Sequence, residues 1–535
     1  MNSMIYNPQE EYDTKFKPLH ADNTEAFFGE LTNTSGINID ENRQTVKEYD
    51  EHNEKLGKLK KSLTLWKILR ILMIITLILI PLVIIKINPK IKAIKEEIST
   101  ATSKTNELLS KACSQVAPLI NLFKPEHSLS LIEKTIPLID FSPCFTIEDE
   151  MNMRINFDFD PYTSRDVSTT DLLYGNYNGN PFLFETRLNH KLGLQTYHGY
   201  KTISWTETYR DSNGKMRRRT RSQTLHATVD KPKPFYSTQV LLNYCAQGGP
   251  ELCFTRDATN LDEKSERELE RYIKKGEKRL DMLNDEAIKK NDDFMSMSNT
   301  DFEVLFDALD RTNEVQFRTL FTPLAQTNMI DILLSKTAYG DDFAFIKNNR
   351  TNTIISNHSQ GRSLTLPTAN LYSHSYDIIK EKYKAENEEY FKSVYFDFAP
   401  LLAIPMYQDK PVHSLEPIPD YEQHYSVKEC ESLTNAVNPE NFAHPSSKTT
   451  AILKSTYEKT EQNADAFLVT AYSYDIEGRV DYVSVFGGDG RFHSVAVPWD
   501  CYIPLENCGR FYVTGSNNLP QSNILGQKNN IAIYK

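Results

Sequence analysis

Apolar and polar positions alternate on short periods along most of this chain, but one stretch has no polar phase. Nearly every side chain in residues 63–87 is aliphatic, and residues 71–85 form an uncharged run of 15. A bilayer core needs about 20 apolar residues. The stems of Lys67, Arg70 and Lys86 extend the run, because they can lie along lipid while their charges reach the headgroups. Trp66 sits where an interfacial aromatic anchors a helix. The pattern predicts one transmembrane helix over 62–88. A buried core helix is the alternative, and the flanks argue against it: Lys60, Lys61, Lys67 and Arg70 come before, and Lys86, Lys90, Lys92 and Lys95 after. The stretch preceding the run is acidic, unlike the basic start of a cleaved signal, so the segment is expected to be a retained anchor.

Beyond Pro89, helical spacing links Ile91, Ile94, Ile98, Leu108, Ala112, Val116 and Leu119, which predicts a juxtamembrane helical stalk over 89–128. Residues 129–257 turn to strand. Ile203, Trp205, Glu207 and Tyr209 alternate with polar neighbours, Asn213-Gly214 favours a tight hairpin turn, and Pro232 with Pro234 should end the returning strand. A helical hairpin is expected over 258–338. Its first helix, 259–290, has Thr259 and Asp262 in capping-box spacing and a coiled-coil-like seam of Leu269, Ile273, Gly276, Leu280, Leu283 and Ala287. Gly276 costs about 1 kcal/mol of helix preference against alanine and so marks close approach by a partner. That partner is the 301–338 block, with a break at Pro323, or the same helix of a second subunit. Residues 339–535 read as mixed and then β-rich, with a helix over 376–394 and a meander from Ala466 that turns at Glu477-Gly478 and at Gly487-Gly488-Asp489-Gly490. The expected fold class is α+β with β-rich segments flanking the helical hairpin.

Charge sharpens this division. Residues 1–54 hold 12 acids and 4 bases, residues 55–95 hold 10 bases and no acid, and the remainder carries a net charge of -13. Residues 1–61 therefore read as an acidic, disordered cytoplasmic tail. More cations before the apolar run than after it favour a cytoplasmic N-terminus with the large body outside. The seven cysteines lack framework spacing and suit a reducing compartment instead, so the side of the body stays open. An acidic body is a poor polyanion binder, and no nucleic-acid partner is expected.

Several motifs touch chemistry. Tyr339-Gly340-Asp341-Asp342 spells the metal-binding tetrapeptide of RNA polymerases, but a helix end precedes it where a strand is needed. Gly487-Gly488-Asp489-Gly490 resembles a kinase nucleotide loop, yet Arg491 and an alternating strand follow it, so a hairpin turn accounts for the glycines. Asn357-His358-Ser359-Gln360-Gly361 approximates a nucleophile elbow with Asn357 in place of its first glycine. His413, His424, Cys430 and His444 are four potential zinc ligands at spacings that fit no compact motif. Arg217, Arg218, Arg219 and Arg221 read as a charged, aggregation-resistant strand edge. No cofactor or metal is expected, and no catalytic residue is assigned.

Trp205-Thr206-Glu207-Thr208-Tyr209, Leu225-His226-Ala227-Thr228-Val229, Asn243-Tyr244-Cys245 and the stretch from Asp307 through Glu314 resemble those of a family of bacterial single-span membrane proteins with no assigned function. The resemblance implies a membrane location and carries no activity, ligand or residue role. The function expected is a membrane-tethered binding or scaffolding protein, with the lipid bilayer and protein partners or self-association as its contacts. The alternative is a membrane-anchored hydrolase, in which convergence of His358, Ser359, His413, His424, Cys430, His444 and His493 would mark the site.

Overall fold

The computed structural model describes residues 4–75, 81, 83–290, 294–411, 416–418, 424–459, 464–514 and 531–532. The chain is α+β and divides into two compact units, residues 9–137 with 365–396, and residues 1–8 with 138–364 and 397–535.

The first unit is helical. Its helices are α1 (Lys17–Ser35), α2 (Ile39–Ile75), α3 (Asn88–Ile120) and α4 (His127–Thr135), with the N-terminal part of α10 (Tyr376–Leu402). The expected disordered tail is instead ordered. Tyr12, Phe16, His20, Thr24, Phe28 and Thr32 recur every fourth residue and are all buried. Tyr12 packs on Phe391 and Tyr395, and Phe28 on Phe123 and Tyr383. Acidic positions occupy the outer faces of this stripe, which is why net charge alone suggested a solvated coil.

The transmembrane helix is likewise corrected. No helix among the described residues is long and apolar enough to cross a membrane. The aliphatic run is divided between the end of α2 and a π-helical turn, Val83–Ile87, that leads into α3, where Pro89 takes a first-turn position; residues 76–80 and 82 lie outside the described residues. The described part of this arm, from Leu63 to Ile75, rises about 18 Å. The two arms pack on each other: Val83, Ile87 and Ile91 are buried against Leu63, Trp66 and Met73. Further down, the Asn42 amide donates to the Ala112 carbonyl (3.2 Å) and Gln115 donates to Glu41 (3.0 Å). The expected stalk is thus the returning arm of an antiparallel helical hairpin. Ile91, Ile94, Leu108, Ala112, Val116 and Leu119 are its buried stripe.

The second unit holds helix α5 (Ile147–Phe157) and two antiparallel sheets. The first is ordered β1-β2-β3-β4-β7-β6-β5, with β1 Ile139–Ser142, β2 Val167–Tyr177, β3 Asn180–Arg210, β4 Met216–Cys245, β5 Cys253–Arg256, β6 Phe343–Asn348 and β7 Thr351–Ser356. The second is ordered β11-β10-β9-β8, with β8 Ile452–Lys459, β9 Ala464–Phe486, β10 Phe492–Thr514 and β11 Ile531–Ala532. Helix α11 (Val427–Ala436) covers it through Cys430 and Leu433 against Leu453, Phe467, Val469 and Phe511.

The β3–β4 pairing runs from Phe182↔Tyr244 to Arg210↔Met216, across the Asn213-Gly214 turn. Pro232 and Pro234 do not end β4. Among the described residues no strand pairs with its outer edge between Met216 and Gln239, and a proline whose nitrogen faces an open edge costs no ladder bond. One face of this ribbon, with Ile203, Leu225 and Ala227, packs on Val495 and Val497 of β10. Gly199 permits that approach, because a Cβ there would lie 2.2 Å from the Ala496 carbonyl oxygen. The expected turn at Glu477-Gly478 is also absent: both residues lie within β9, opposite Cys501 and Asp500. The turn at Gly487–Gly490 does form, with Gly487 N–H donating to the Arg491 carbonyl (2.8 Å).

The 258–338 region holds α6 (Glu266–Lys290), α7 (Thr300–Phe306), α8 (Glu314–Leu320) and α9 (Pro323–Leu333). Helix α6 starts at Ser265 and Glu268, which bond each other, instead of at Thr259. Thr259 binds Asp341. Gly276 meets a side chain of α7: a Cβ on it would lie 2.3 Å from Val304. The 301–338 block is three short helices, each N-capped by a side chain (Asn299, Asn313, Thr322).

Candidate functional site

The feature least explained by folding is the apolar end of the α2–α3 hairpin. An aliphatic side chain left in water forfeits roughly 1.5–3 kcal/mol of burial free energy. Yet Leu65, Ile68, Leu69, Ile71, Leu72 and Ile74 on α2, with Ile84 and Ile85 on the turn before α3, are between 36% and 72% exposed. They project outward because the inward positions are taken by Leu63, Trp66 and Met73. Lys60, Lys61, Lys67 and Arg70 on one arm and Lys86, Lys90, Lys92 and Lys95 on the other collar this end. Among the described residues none of the eight makes an ion pair, and the ion pairs of the hairpin lie farther down, such as Lys58–Glu54, Lys104–Glu107 and Lys111–Glu41. The end therefore combines exposed aliphatic surface with a ring of uncompensated positive charge.

The residues singled out for chemistry are placed differently. Asp341 is fully buried in an ion pair with Arg256 and accepts hydrogen bonds from Thr259 and from the Leu261 N–H (3.1 Å). Asp342 accepts from the His358 N–H (3.0 Å) and pairs with its Nδ1 (2.6 Å). His358 Nε2 lies 3.4 Å from Asp397, which also takes Arg362 (2.7 Å), and the Tyr339 ring stacks on His358 at 3.7 Å. Two motifs that looked unrelated in sequence are thus one partly buried cluster. Asp341 is spent on Arg256 and Thr259, and Asp342 on the backbone N–H and ring of His358. The Ser359 hydroxyl donates to the Ser356 carbonyl (3.0 Å) and is buried. This is the chemistry of a pinned turn: His358 is oriented by two carboxylates, and the neighbouring serine is turned to backbone.

The zinc candidates do not assemble. Cys430 is buried in the core under the second sheet, and burial raises its thiol well above the usual range. The His444 Nδ1 accepts from the Ser446 N–H, His493 pairs with Asp489, and His413 lies outside the described residues. Among the described residues no three His, Cys, Asp or Glu side chains come together as a metal site.

Two features had no usable sequence signal. Lys347 is buried with its ammonium on the Gly248 and Asn349 carbonyls (2.8 and 2.6 Å), and burial lowers it to about 7. His198 and His226, on adjacent strands, have Nδ1 and Nε2 3.0 Å apart and ring centroids 5.2 Å apart. The nitrogens then lie nearly on the line joining the rings, which is the geometry of an N–H···N bond and leaves no room for a shared metal.

No family model, curated protein or solved structure matches this chain.

Proposed function

We propose that this protein is a membrane-associated binding or scaffolding protein that enters one leaflet of an anionic bilayer with the end of its α2–α3 hairpin. The observation that carries the reading is the exposed aliphatic surface inside a collar of unpaired lysine and arginine. The described part of the apolar arm, Leu63 to Ile75, rises about 18 Å, enough to reach through the roughly 15 Å of one leaflet's hydrocarbon. Moving eight half-exposed aliphatic side chains into lipid is worth roughly 6–12 kcal/mol before the cost of orientation. Cations at the headgroups add about 1 kcal/mol each on an anionic surface. The amphipathic interfacial anchor is the closest physical class, and it does not span. With its location set in this way, the α+β unit is free to serve as the binding body.

The experiment is flotation of the full chain with vesicles of phosphatidylcholine alone or mixed with phosphatidylserine. The chain should float with both and more strongly with the anionic ones, with the difference shrinking as salt is raised. Ile71→Asp combined with Leu72→Asp should cut flotation by about tenfold or more. Failure of the parent chain to float, or equal flotation of the double variant, would overturn the proposal.

A further inference from the structure

A groove of about 190 Å³ lies between α6 and α7. One water needs only about 10–15 Å³ of such space, so the groove holds more than solvent-sized molecules. Pockets for drug-sized ligands run to roughly 300–1,000 Å³, so its occupant is smaller than those. Its floor is apolar, formed by Leu280 of α6, Val304 of α7 and Leu309 just beyond. The contact between Gly276 and Val304 fixes the depth, since any side chain at 276 would drive the helices apart.

The rim is charged, and its charges can be assigned. Glu303 is committed to buried Arg311 and to the Met297 N–H (3.1 Å). Arg279 lies 3.3 Å from Asp307, a pair that cancels. Lys275, one turn before Arg279 on the same face of α6, is exposed and has no ion-pair partner among the described residues. The uncommitted charge at the mouth is therefore +1, over an apolar floor.

We propose that this groove binds a small monocarboxylate with an apolar tail, the carboxylate held by Lys275 at the mouth and the tail laid on Leu280, Val304 and Leu309. The site does not depend on the hairpin end, and it gives a role to the 307–314 stretch, where Asp307 supplies the counter-charge of Arg279 and Arg311 secures Glu303 beneath the groove.

Saturation-transfer NMR of the full chain with hexanoate tests it, with hexylamine as a probe of equal tail and opposite charge. Hexanoate should show transfer and hexylamine should not. Lys275→Glu, at an exposed side chain that leaves the thermal melt unchanged, should weaken hexanoate by about tenfold or more. Leu309→Trp should block the tail. The Ile71→Asp, Leu72→Asp variant should bind hexanoate as the parent does, so failure at this groove is separable from failure of membrane binding. Absence of hexanoate binding, equal transfer to hexylamine, or indifference to Lys275→Glu would overturn the proposal.

Discussion

In the α+β unit, Arg256, Arg311 and Lys428 are buried and each faces a carboxylate, Asp341, Glu303 and Glu185, while phenylalanine rings lie against the two guanidinium groups. At the end of the helical hairpin, eight cations stand without ion-pair partners among the described residues and eight aliphatic side chains face outward. Water explains the first arrangement: a buried charge is costly unless paired, so each cation was matched. It does not explain the second, in which neither kind of group has its lowest free energy in water. A surrounding with hydrocarbon inside and anions at its rim satisfies both. The contrast teaches that an inverted pattern, repeated on two arms of one element, describes the medium that element meets.

The largest test of this contrast is Arg311→Met. Burial raises the Glu303 carboxyl while Arg311 pulls it down, and without the guanidinium the carboxylate is left buried and unpaired. Urea titration should show a loss of about 3–5 kcal/mol. A loss below about 1 kcal/mol, the range of surface pairs, would mean that the two regions treat their cations alike.

His20 gives the next effect, within the helical unit. Its Nδ1 meets the Thr135 hydroxyl (3.0 Å), its ring stacks on Phe391 at 4.1 Å, and burial lowers it to about 4. The folded state holds the neutral ring, so its stability contribution is complete above the unfolded value near 6.5 and is lost as pH falls toward about 4. At about pH 4.5 the loss is about 2.5 kcal/mol. Hydrogen exchange across residues 9–35 should accelerate on acidification, and His20→Gln should remove most of that pH dependence. An unchanged pH dependence would show that His20 is not the titrating group.

The smallest effect on folding belongs to the collar. Lys67→Gln with Arg70→Gln should shift stability by less than about 0.5 kcal/mol, because neither cation has an ion-pair partner among the described residues. The same pair should weaken flotation with anionic vesicles by about tenfold at low salt, and with neutral vesicles far less. A stability loss comparable to that of Arg311→Met would reveal an intramolecular role and erase the contrast.

Legibility in the sequence followed the range of the interaction. The α3 stripe, the Asn213-Gly214 turn and the Gly487–Gly490 turn depend on residues a few positions apart, and their patterns were readable. The fate of 63–87 was misread because hydropathy records how apolar a segment is, and Leu63, Trp66 and Met73 find their cover on Ile87 and Ile91 of the returning arm. The N-terminal helices were missed because half of their buried stripe is polar, with Thr32 bonded to the Phe28 carbonyl and His20 to Thr135. The cluster of Asp342, His358 and Asp397 joins residues 16 to 55 positions apart, and no local spacing encodes it. The α6–α7 groove left one trace, the glycine at 276 on an otherwise apolar seam.

The β3–β4 ribbon bears on the order in which the chain acquires structure. Its rungs begin at Arg210↔Met216 and end at Phe182↔Tyr244, so each new rung encloses only two more residues than the last. Loop closure cost grows slowly with enclosed length, and once the Asn213-Gly214 turn has formed, pairing can advance as a zipper with no distant segment needed. The pairing of Leu242 with Ile354 on β7 instead has to close a loop of more than a hundred residues. The ribbon is therefore expected early and the completed seven-stranded sheet late, with the ribbon as the template on which the sheet is assembled.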